Sequence, residues 1–201
     1  AKHVYQCLSD KYSGIGTPTW ALLLSQSCRS QGYNVAILDV LAERLNHEQS
    51  IERIKELNPR LICFVVYGEN CNSGTTQMSG TVLLAENIKK AGIKIPIAAA
   101  GSHPQALPYE VLENEHSIDF IFTNEAVYSL WNILKEDLTL DIGKLEHVKG
   151  IGFRKEGKPF LTDTEKIVPQ NRMDIDLPGY AWDLLPYDKK PFDLYRSPLW
   201  H

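Results

Sequence analysis

Glycine and hydroxyl-bearing residues gather in four stretches of this chain, each closely following an apolar run. The stretches are Tyr12–Thr17, Gly68–Thr76, Gly101–Pro104 and Thr123–Glu125. Glycines let a backbone approach a ligand closely, while hydroxyls and the free amides of a helix start bond polar groups. We expect these stretches to bind a large polar ligand that carries amides and one phosphate.

The same stretches offer little for general acid–base catalysis. His103 is their only histidine, and the nearby carboxylates are Asp10, Glu69 and Glu125. No serine–histidine–aspartate set can be assembled from them, so we assign no catalytic residue. His103 precedes Pro104, where a turn or cap is more common than a ligand, and Glu125 most simply balances a helix dipole.

The cysteines do not form a metal-binding pattern. Cys7, Cys28, Cys63 and Cys71 include no pair with CxxC spacing, so we assign no metal ligand within this chain. Cys7 and Cys63 lie in predicted buried strands, where a free thiol acts as a small apolar group. This cysteine usage indicates a reducing, cytoplasmic compartment.

The elements between the polar stretches must position them. Apolar runs at residues 3–8, 33–40, 60–66, 95–100 and 118–123 alternate with helical patterns. Continuous apolar runs are typical of parallel strands that are covered on both faces. We therefore predict an α/β fold with a doubly wound, five-stranded parallel sheet, and we choose the flavodoxin-like (Rossmann-like) strand order 2-1-3-4-5. The polar stretches would then share the carboxyl edge of the sheet, where ligands bind.

Local signals predict the ends and inward faces of the helices. Thr17 should cap the first helix, with Pro18 in its first position. The apolar residues of a helix over residues 47–57, as far as Leu57, should face the core.

Two further boundaries bear on the polar stretches. The stretch Gly68–Thr76 should be a loop, long for a strand-to-helix connection. One helix after the turn Gly101–Pro104 should place Leu107, Val111 and Leu112 on a single buried face.

The C-terminal third has a different character. Residues 148–154 and 159–162 flank a glycine-containing turn and predict a β-hairpin. Prolines and aromatic residues alternate from Pro169 onward, which favours an ordered strap of little regular structure that packs on another surface. We divide the chain into a Rossmann-like domain over 1–140, a hairpin extension over 141–168 and a linker over 169–201. Its start at Ala1 and end at His201 lead us to expect a piece of a longer protein.

The composition excludes several classes of partner. The 201 residues are 43% hydrophobic and 23% charged, which is ordinary for a globular protein. The net charge of −4 argues against a nucleic-acid-binding surface. No apolar run approaches the roughly 20 residues of a membrane helix, and no signal peptide is visible. We therefore expect neither a nucleic acid nor a membrane as a partner.

Taken in order, these motifs resemble the N-terminal cobalamin-binding domain of B12-dependent radical SAM enzymes. The loop YSGIGTP at residues 12–18 follows the first strand, and GSHPQALP at residues 101–108 matches a glycine–histidine–proline turn of that family. Asn124 and Glu125 stand where the cobalamin-binding domains of these enzymes have a second turn, similar to the sequence RGEGE. The similarity continues through Gly32–Val35, the IGFR motif at residues 151–154, and the leucine–proline segments at residues 176–178 and 183–186.

Two departures from related folds shape what the resemblance implies. Free-standing B12 folds carry Asp-x-His-x-x-Gly after the first strand, with the histidine on cobalt, whereas this chain has Tyr12 at that position. The resemblance therefore implies that cobalamin binds with its base displaced and no histidine below the metal. A Cys-x-x-x-Cys-x-x-Cys motif is absent, so S-adenosylmethionine and a [4Fe-4S] cluster would bind only in a downstream radical SAM domain.

The resemblance also implies roles for individual residues. Ser102, Thr75 and Thr76 would bond the nucleotide tail of the cofactor, and Tyr12 and Ile15 would face the lower side of the corrin. A side chain at Gly14 or Gly101 would collide with the cofactor, so substitution of Gly101 should prevent binding and leave the fold nearly intact. The full predicted cofactor-binding set is Tyr12, Ser13, Gly14, Ile15, Gly16, Thr17, Tyr67, Gly68, Ser73, Thr75, Thr76, Gly101, Ser102, His103, Pro104, Asn124 and Glu125.

Three functions are consistent with the sequence. The resemblance implies a domain that holds cobalamin for methyl transfer or related radical chemistry, as part of a B12-dependent radical SAM methyltransferase, and that is not catalytic alone. The fold equally allows a flavodoxin-like module that binds FMN or another nucleotide at the same edge. A non-catalytic interaction domain that docks through its aromatic C-terminal strap is the third possibility.

Overall fold

A computed structural model describes residues 15–67, 71–136, 145–186 and Tyr195. The helices are α1 (Thr19–Ser30), α2 (His47–Leu57), α3 (Cys71–Lys90), α4 (Ser102–Ala106), α5 (Pro108–Asn114), α6 (Val127–Lys135) and α7 (Met173–Asp176). The strands are β1 (Ile62–Val66), β2 (Ile97–Gly101), β3 (Phe120–Phe122), β4 (Ile151–Lys155) and β5 (Lys158–Leu161). Short 3-10 turns cover Gln170–Arg172 and Trp182–Leu184.

The five described strands form one mixed sheet in the order β1-β2-β3-β4-β5. β1, β2 and β3 are parallel, and Val66 at the end of β1 pairs with Gly101 at the end of β2. β4 runs antiparallel to β3, and β5 antiparallel to β4. The carboxyl ends of the three parallel strands therefore lie at one edge, as the sequence predicts.

Helices cover both faces of this sheet, so the α/β class and the doubly wound architecture are confirmed. Alternate residues along β2 point to opposite faces. Ala98 and Ala100 belong to the core cluster that contains residues of α1 and α6, such as Leu24 and Leu130. Ile97 and Ala99 belong to the cluster that contains residues of α2, α3 and α5.

The sheet differs from the predicted one at both ends. The predicted third, fourth and fifth strands are β1, β2 and β3, in the predicted neighbour order. The predicted first strand, residues 3–8, lies outside the described residues. Residues 33–40 form no strand with the described part of the chain; in the predicted order their only neighbour would be that first strand. The predicted hairpin is present as β4 and β5, but it pairs with β3 and extends the sheet, so the sheet is mixed rather than wholly parallel.

The starts of two helices differ from the predictions. α1 begins at Thr19, and its N-cap is Pro18, which makes no side-chain capping bond, rather than Thr17. The Pro18 carbonyl accepts the first helical bond, from the Leu22 N–H at 3.0 Å, which places Thr17 outside the helix. α3 begins at Cys71, so the predicted long loop is wrong and residues 71–76 are helical.

The polar stretch at the start of α3 packs closely against α4. An ideal Cβ on Gly74 would lie 2.2 Å from the Ser102 Oγ, so a bare glycine lets α3 approach α4 closely. Glycine is a weak helix former, and its role here is set by this tertiary contact rather than by local preference.

Two predicted inward-facing leucines are exposed. Pro108 opens α5 at its first turn and restricts the preceding residue, so Leu107 interrupts the predicted single helix and is 42% exposed. Val111 and Leu112 are buried as predicted. Leu57 is 45% exposed because it is the last residue of α2, just before Asn58 adopts a left-handed conformation.

Residues 165–185 run back across the layer formed by α1 and α6. The Ala181 N–H donates to the Leu22 carbonyl oxygen at 3.3 Å, and Arg29 of α1 pairs with Asp183 at 2.7 Å. At the centre, the Ser27 hydroxyl donates to the Asp176 carbonyl oxygen at 2.6 Å. We name residues 165–185 the C-terminal strap. Among the described helices, none is long and apolar enough to cross a membrane.

Candidate functional site

A cleft opens at the carboxyl edge of the sheet, between the ends of β1 and β3 and the first turn of α1. Its volume is about 410 Å³. Its walls are aromatic rings, amides, a hydroxyl, a carboxylate and one aliphatic side chain. We name it the edge cleft and define it by Trp20, Tyr67, Gln105, Thr123, Asn124, Glu125 and Ile167.

Gln105 ties together two sides of the edge cleft. Its Nε2 donates to the Tyr67 hydroxyl oxygen at 2.7 Å and to the Asn124 carbonyl oxygen at 2.6 Å. Trp20 closes the third side, because its Nε1 donates to the Glu125 carbonyl oxygen at 3.1 Å and its ring lies 5.6 Å from the Tyr67 ring. Tyr67 after β1, the Asn124–Glu125 turn after β3 and the start of α1 are therefore linked to one another.

The side chains of Asn124 and Glu125 hold protein backbone at this edge. The Asn124 Oδ1 accepts the Ala126 N–H at 3.0 Å, and its Nδ2 donates to the Glu165 carbonyl oxygen at 3.0 Å. The Glu125 Oε1 accepts the Val168 N–H. Both residues thus anchor the start of the C-terminal strap, which is a structural task beyond the dipole role expected for Glu125.

The Tyr67 phenol remains protonated at neutral pH. Burial raises the pKa of Tyr67, the hydrogen bond from Gln105 lowers it, and the nearby Glu125 carboxylate raises it again, with a net upward shift. Tyr67 is therefore a neutral hydrogen-bonding group of the cleft rather than an acid or base.

A second cleft of about 420 Å³ lies between α3 and the segment that follows β2. The Thr75 Oγ1 and the His103 Nδ1 are 3.1 Å apart across its mouth. Apolar side chains of α3 line the floor, and Glu86 and Glu115 stand at the rim. We name it the helix cleft and define it by Thr75, Met78, Ser79, Val82, Leu83, Glu86, His103 and Glu115.

Gly101 and Ser102 lie between the two clefts. The Ser102 Oγ is buried and makes no hydrogen bond with the described part of the chain. Gly101 is fully buried against β1, where the carbonyl oxygen of Val66 occupies the space that a side chain would need. The glycine at position 101 is thus required by the sheet itself, whatever ligand binds nearby.

The structure brings together part of the predicted site. Tyr67, Asn124 and Glu125 share the edge cleft, while Thr75 and His103 share the helix cleft, so the predicted residues do not line one continuous groove. Ile15 is buried against Ala42 and Tyr195. Gly16 and Thr76 are exposed, Thr17 is half-buried and Pro104 is buried. Tyr12, Ser13, Gly14 and Gly68, and the side chain of Ser73, lie outside the described residues.

Four residues of the edge cleft are absent from the predicted cofactor-binding set, although one of them, Thr123, belongs to the predicted polar stretch Thr123–Glu125. Trp20 lies in the first turn of α1, Gln105 lies on α4, Thr123 follows β3, and Ile167 follows the hairpin. Trp20 and Gln105 directly follow the predicted glycine loop and turn, so extending each motif by a few residues would have found them. No local signal points to Ile167, because only the return of the strap brings it to this edge.

A protein-family model described as a B12 binding domain matches residues 5–130, more than half of the chain. The chain belongs to the B12-binding domain family. A search of curated proteins finds no match. Membership confirms the predicted resemblance at the level of a cobalamin-binding domain, and it favours cobalamin over the FMN and interaction-module alternatives. The matched region contains every residue of the edge cleft except Ile167.

The residues of this B12-binding domain fit part of a cobalamin molecule. Aromatic rings and neutral donors in the edge cleft suit a heterocyclic base and a sugar, and none of its described lining residues is a lysine or an arginine. The buried, unpaired Ser102 Oγ next to Gly101 is a further donor at the same edge. Within the described ranges, no group of three or more histidine, cysteine or acidic residues could hold a metal ion.

Proposed function

We propose that this B12-binding domain holds cobalamin base-off, with the nucleotide tail of the cofactor in the edge cleft. The observation that carries the proposal is the chemistry of that cleft, which offers about 410 Å³ walled by Trp20, Tyr67 and neutral polar groups at the carboxyl edge. The base and sugar of the tail need such an apolar and hydrogen-bonding surface. The corrin ring would lie above the edge, beyond the described loops.

Ser102 is the residue that we assign most directly to the cofactor. Its buried hydroxyl has no partner among the described residues, and a buried unpaired hydroxyl destabilises a folded protein unless a ligand satisfies it. Thr75, Thr76 and His103 would contact the cofactor from the helix cleft. Together with the remaining predicted residues at positions 12–17, 67–68, 73, 101, 104 and 124–125, these form the proposed binding set.

The resemblance to radical SAM enzymes, whose cobalamin-binding domains commonly lack the cobalt-ligating histidine, implies the base-off state. Tyr12 stands where a cobalt-ligating histidine would fall, and a phenol does not replace imidazole as a ligand of choice for this site. The displaced base is then free to enter the edge cleft. We assign neither a metal ligand nor a catalytic residue to the chain.

The wider context of the proposal rests on the resemblance to radical SAM enzymes. A downstream radical SAM domain would bind S-adenosylmethionine and a [4Fe-4S] cluster and would hold the substrate. Cobalamin would supply the chemistry of methyl transfer or a related radical reaction. The hairpin and the C-terminal strap would connect the two domains, and the whole protein would work in the reducing cytoplasm.

Absorption spectroscopy tests the proposal. The purified protein is mixed with hydroxocobalamin, passed through gel filtration and scanned, and we expect the protein fraction to retain a base-off cobalamin spectrum. A protein fraction without a corrin spectrum, or with a base-on spectrum, contradicts the proposal. FMN in a parallel sample should not be retained.

A pair of matched variants locates the tail. Ile167 lines the edge cleft and is 65% exposed, whereas Ile175 lies on the same strap outside the cleft and is 57% exposed. Ile167→Trp should fill the cleft and reduce cobalamin retention at least tenfold, while Ile175→Trp should retain as much as the wild type. Equal retention by both variants would exclude the edge cleft as the tail site.

A further inference from the structure

The orientation of the Gln105 amide is fixed by its surroundings. Its Nε2 lies 2.6 Å from the Asn124 carbonyl oxygen, which can only accept a hydrogen bond. The nitrogen, not the oxygen, of the amide must therefore face this side. Because the same Nε2 lies 2.7 Å from the Tyr67 hydroxyl, Gln105 donates to Tyr67 and Tyr67 accepts.

Because Gln105 donates to Tyr67, the hydroxyl hydrogen of Tyr67 can bond to another acceptor. A phenol has one donor hydrogen and an acceptor oxygen, and Gln105 occupies the acceptor side. Among the described residues, the Tyr67 hydroxyl donates to no acceptor. Tyr67 also lines the edge cleft beside Trp20, so the cleft offers a neutral donor next to an aromatic surface.

The charges around Tyr67 select the kind of acceptor. Among the described residues that line the cleft, Glu125 is the only charged one, so the surroundings of the Tyr67 hydroxyl favour a neutral acceptor over a phosphate group. A neutral acceptor within an aromatic ring meets no repulsion from Glu125, and the Trp20 and Tyr67 rings provide apolar contact for it. The nitrogen of the cofactor's lower base that binds cobalt in the base-on state is such an acceptor once the base is displaced.

We propose that Tyr67, positioned by Gln105, donates its hydroxyl hydrogen to the free ring nitrogen of the displaced lower base and thereby selects cofactors whose base carries this nitrogen. The inference rests on the proposed function, in which the nucleotide tail lies in the edge cleft. Tyr67 is then a specificity-determining residue, and Gln105 is a positioning residue that acts through it.

Two cofactors separate this role from a general effect on the cleft. Hydroxocobalamin carries dimethylbenzimidazole, which has the ring nitrogen, whereas p-cresolyl cobamide carries a phenolic base that has none. Dissociation constants of both are measured by absorption titration for the wild type and for Tyr67→Phe. We expect the substitution to weaken hydroxocobalamin binding about tenfold and to change p-cresolyl cobamide binding less than twofold. The ratio of the dissociation constants of Tyr67→Phe and the wild type is taken for each cofactor, so any difference in affinity between the two cofactors themselves cancels.

The positioning role of Gln105 has its own test. Gln105→Glu keeps the size of the side chain, but its carboxylate accepts the Tyr67 hydrogen, turns it away from the ligand, and also loses the bond to the Asn124 carbonyl oxygen. We therefore expect Gln105→Glu to weaken hydroxocobalamin binding at least as much as Tyr67→Phe does, and we expect the double variant to bind no more weakly than Gln105→Glu alone. Thermal melting of each variant shows whether the fold is retained, and Gln105→Leu provides a second variant if Gln105→Glu does not fold.

The outcomes are distinct. A loss confined to hydroxocobalamin supports the inference. Equal losses for both cofactors, or no loss for either, overturn it while leaving the proposed function in place. If the wild type binds neither cofactor, the proposed function itself is wrong and the inference falls with it.

Discussion

Gly101 and Val66 lie too close together for any side chain at position 101. They are paired across β2 and β1, and an ideal Cβ on Gly101 would stand 2.1 Å from the Val66 carbonyl oxygen. The φ angle of Gly101 is +147°, which side-chain-bearing residues rarely adopt. The expectation that a substitution here would leave the fold intact is therefore wrong, and cofactor loss in such a variant would not identify a binding site.

Gly101→Ala should destabilise the fold. Because both the backbone conformation and the contact with Val66 are unfavourable, we expect the free energy of unfolding to fall by about 2–5 kcal/mol. Gly80→Ala is the control, since Gly80 is in α3 with no heavy atom within 4 Å of an added Cβ, and it should be neutral or slightly stabilising. Urea denaturation followed by circular dichroism measures both. Equal midpoints for Gly101→Ala and the wild type would contradict this prediction.

Ser102→Ala should separate stability from cofactor binding. Removing a buried hydroxyl that has no partner among the described residues should leave the free energy of unfolding unchanged or raise it by up to about 1 kcal/mol. The same change should weaken cobalamin binding about three- to tenfold if Ser102 bonds the cofactor. Ser129 is a matched control, because it is fully buried with an equally unpaired Oγ but lies on α6.

For these serine variants, denaturation gives the stability and absorption titration with hydroxocobalamin gives the affinity. Ser129→Ala should change the free energy of unfolding by the same amount as Ser102→Ala does. Its affinity for cobalamin should equal that of the wild type. A Ser102→Ala protein that binds cobalamin as tightly as the wild type would remove Ser102 from the binding set.

Asp176 should make the C-terminal strap less stable at acidic pH. Hydrogen bonds from Arg172 and Tyr128 lower the pKa of Asp176 in the folded protein. Because the pKa of Asp176 is lower in the folded than in the unfolded protein, its carboxylate stabilises the fold at any pH above its unfolded pKa of about 4. This stabilisation is lost as the pH falls through the pKa of the folded state. Between about pH 4 and pH 2, the melting temperature of the wild type should therefore fall further than that of Asp176→Asn.

Asp174→Asn is the control for the acid dependence, since Asp174 is an exposed residue of the same helix, α7. At pH 7, limited proteolysis should cut the strap faster in Asp176→Asn than in Asp174→Asn, because the buried carboxylate joins α6 to the strap. Parallel melting curves for the wild type and Asp176→Asn from pH 7 to pH 2 would show that Asp176 does not contribute in this way.

Cys28 should be unreactive in the folded protein. It is 4% exposed within α1, and burial raises the pKa of its thiol to about 12. Because the thiolate is the reactive form, iodoacetamide at pH 8 should leave Cys28 unmodified in the native protein and modify it in guanidinium chloride. Peptide mass spectrometry distinguishes Cys28 from the other cysteines. Rapid native labelling of Cys28 would show that α1 opens from the core.

Much of the fold could be predicted because burial leaves a direct mark on composition. The strands β1, β2 and β3 are apolar on both faces, so their sequences are continuous apolar runs. The helix His47–Leu57 was predicted from its apolar periodicity and from Pro59, which stops it, and its ends are as predicted. In the structure, an Asn46–Gln49 capping box holds its start. Such signals act over a few residues and are visible in the sequence.

The failures lie where distant residues decide the conformation. The sequence of Cys71–Thr76 is rich in small polar residues and predicts a loop, yet these residues are helical, and Gly74 packs against Ser102, a residue distant in the chain. The hairpin was predicted, but its pairing with β3 depends on contacts between Phe120 and Phe153, far apart in the chain. No local preference encodes either contact.

The candidate site divides in the same way. The sequence by itself determined the α/β class, the carboxyl edge as the place for a ligand, and the likeness to cobalamin-binding domains, because glycine turns after apolar strands are local patterns. Only the tertiary structure decided that Gly101 serves the sheet, that Gln105 directs the Tyr67 hydroxyl, and that the strap brings Ile167 to the edge cleft. Those relationships arise from packing between segments that are distant in the chain, and a hydrogen bond has a direction only once both partners are in place.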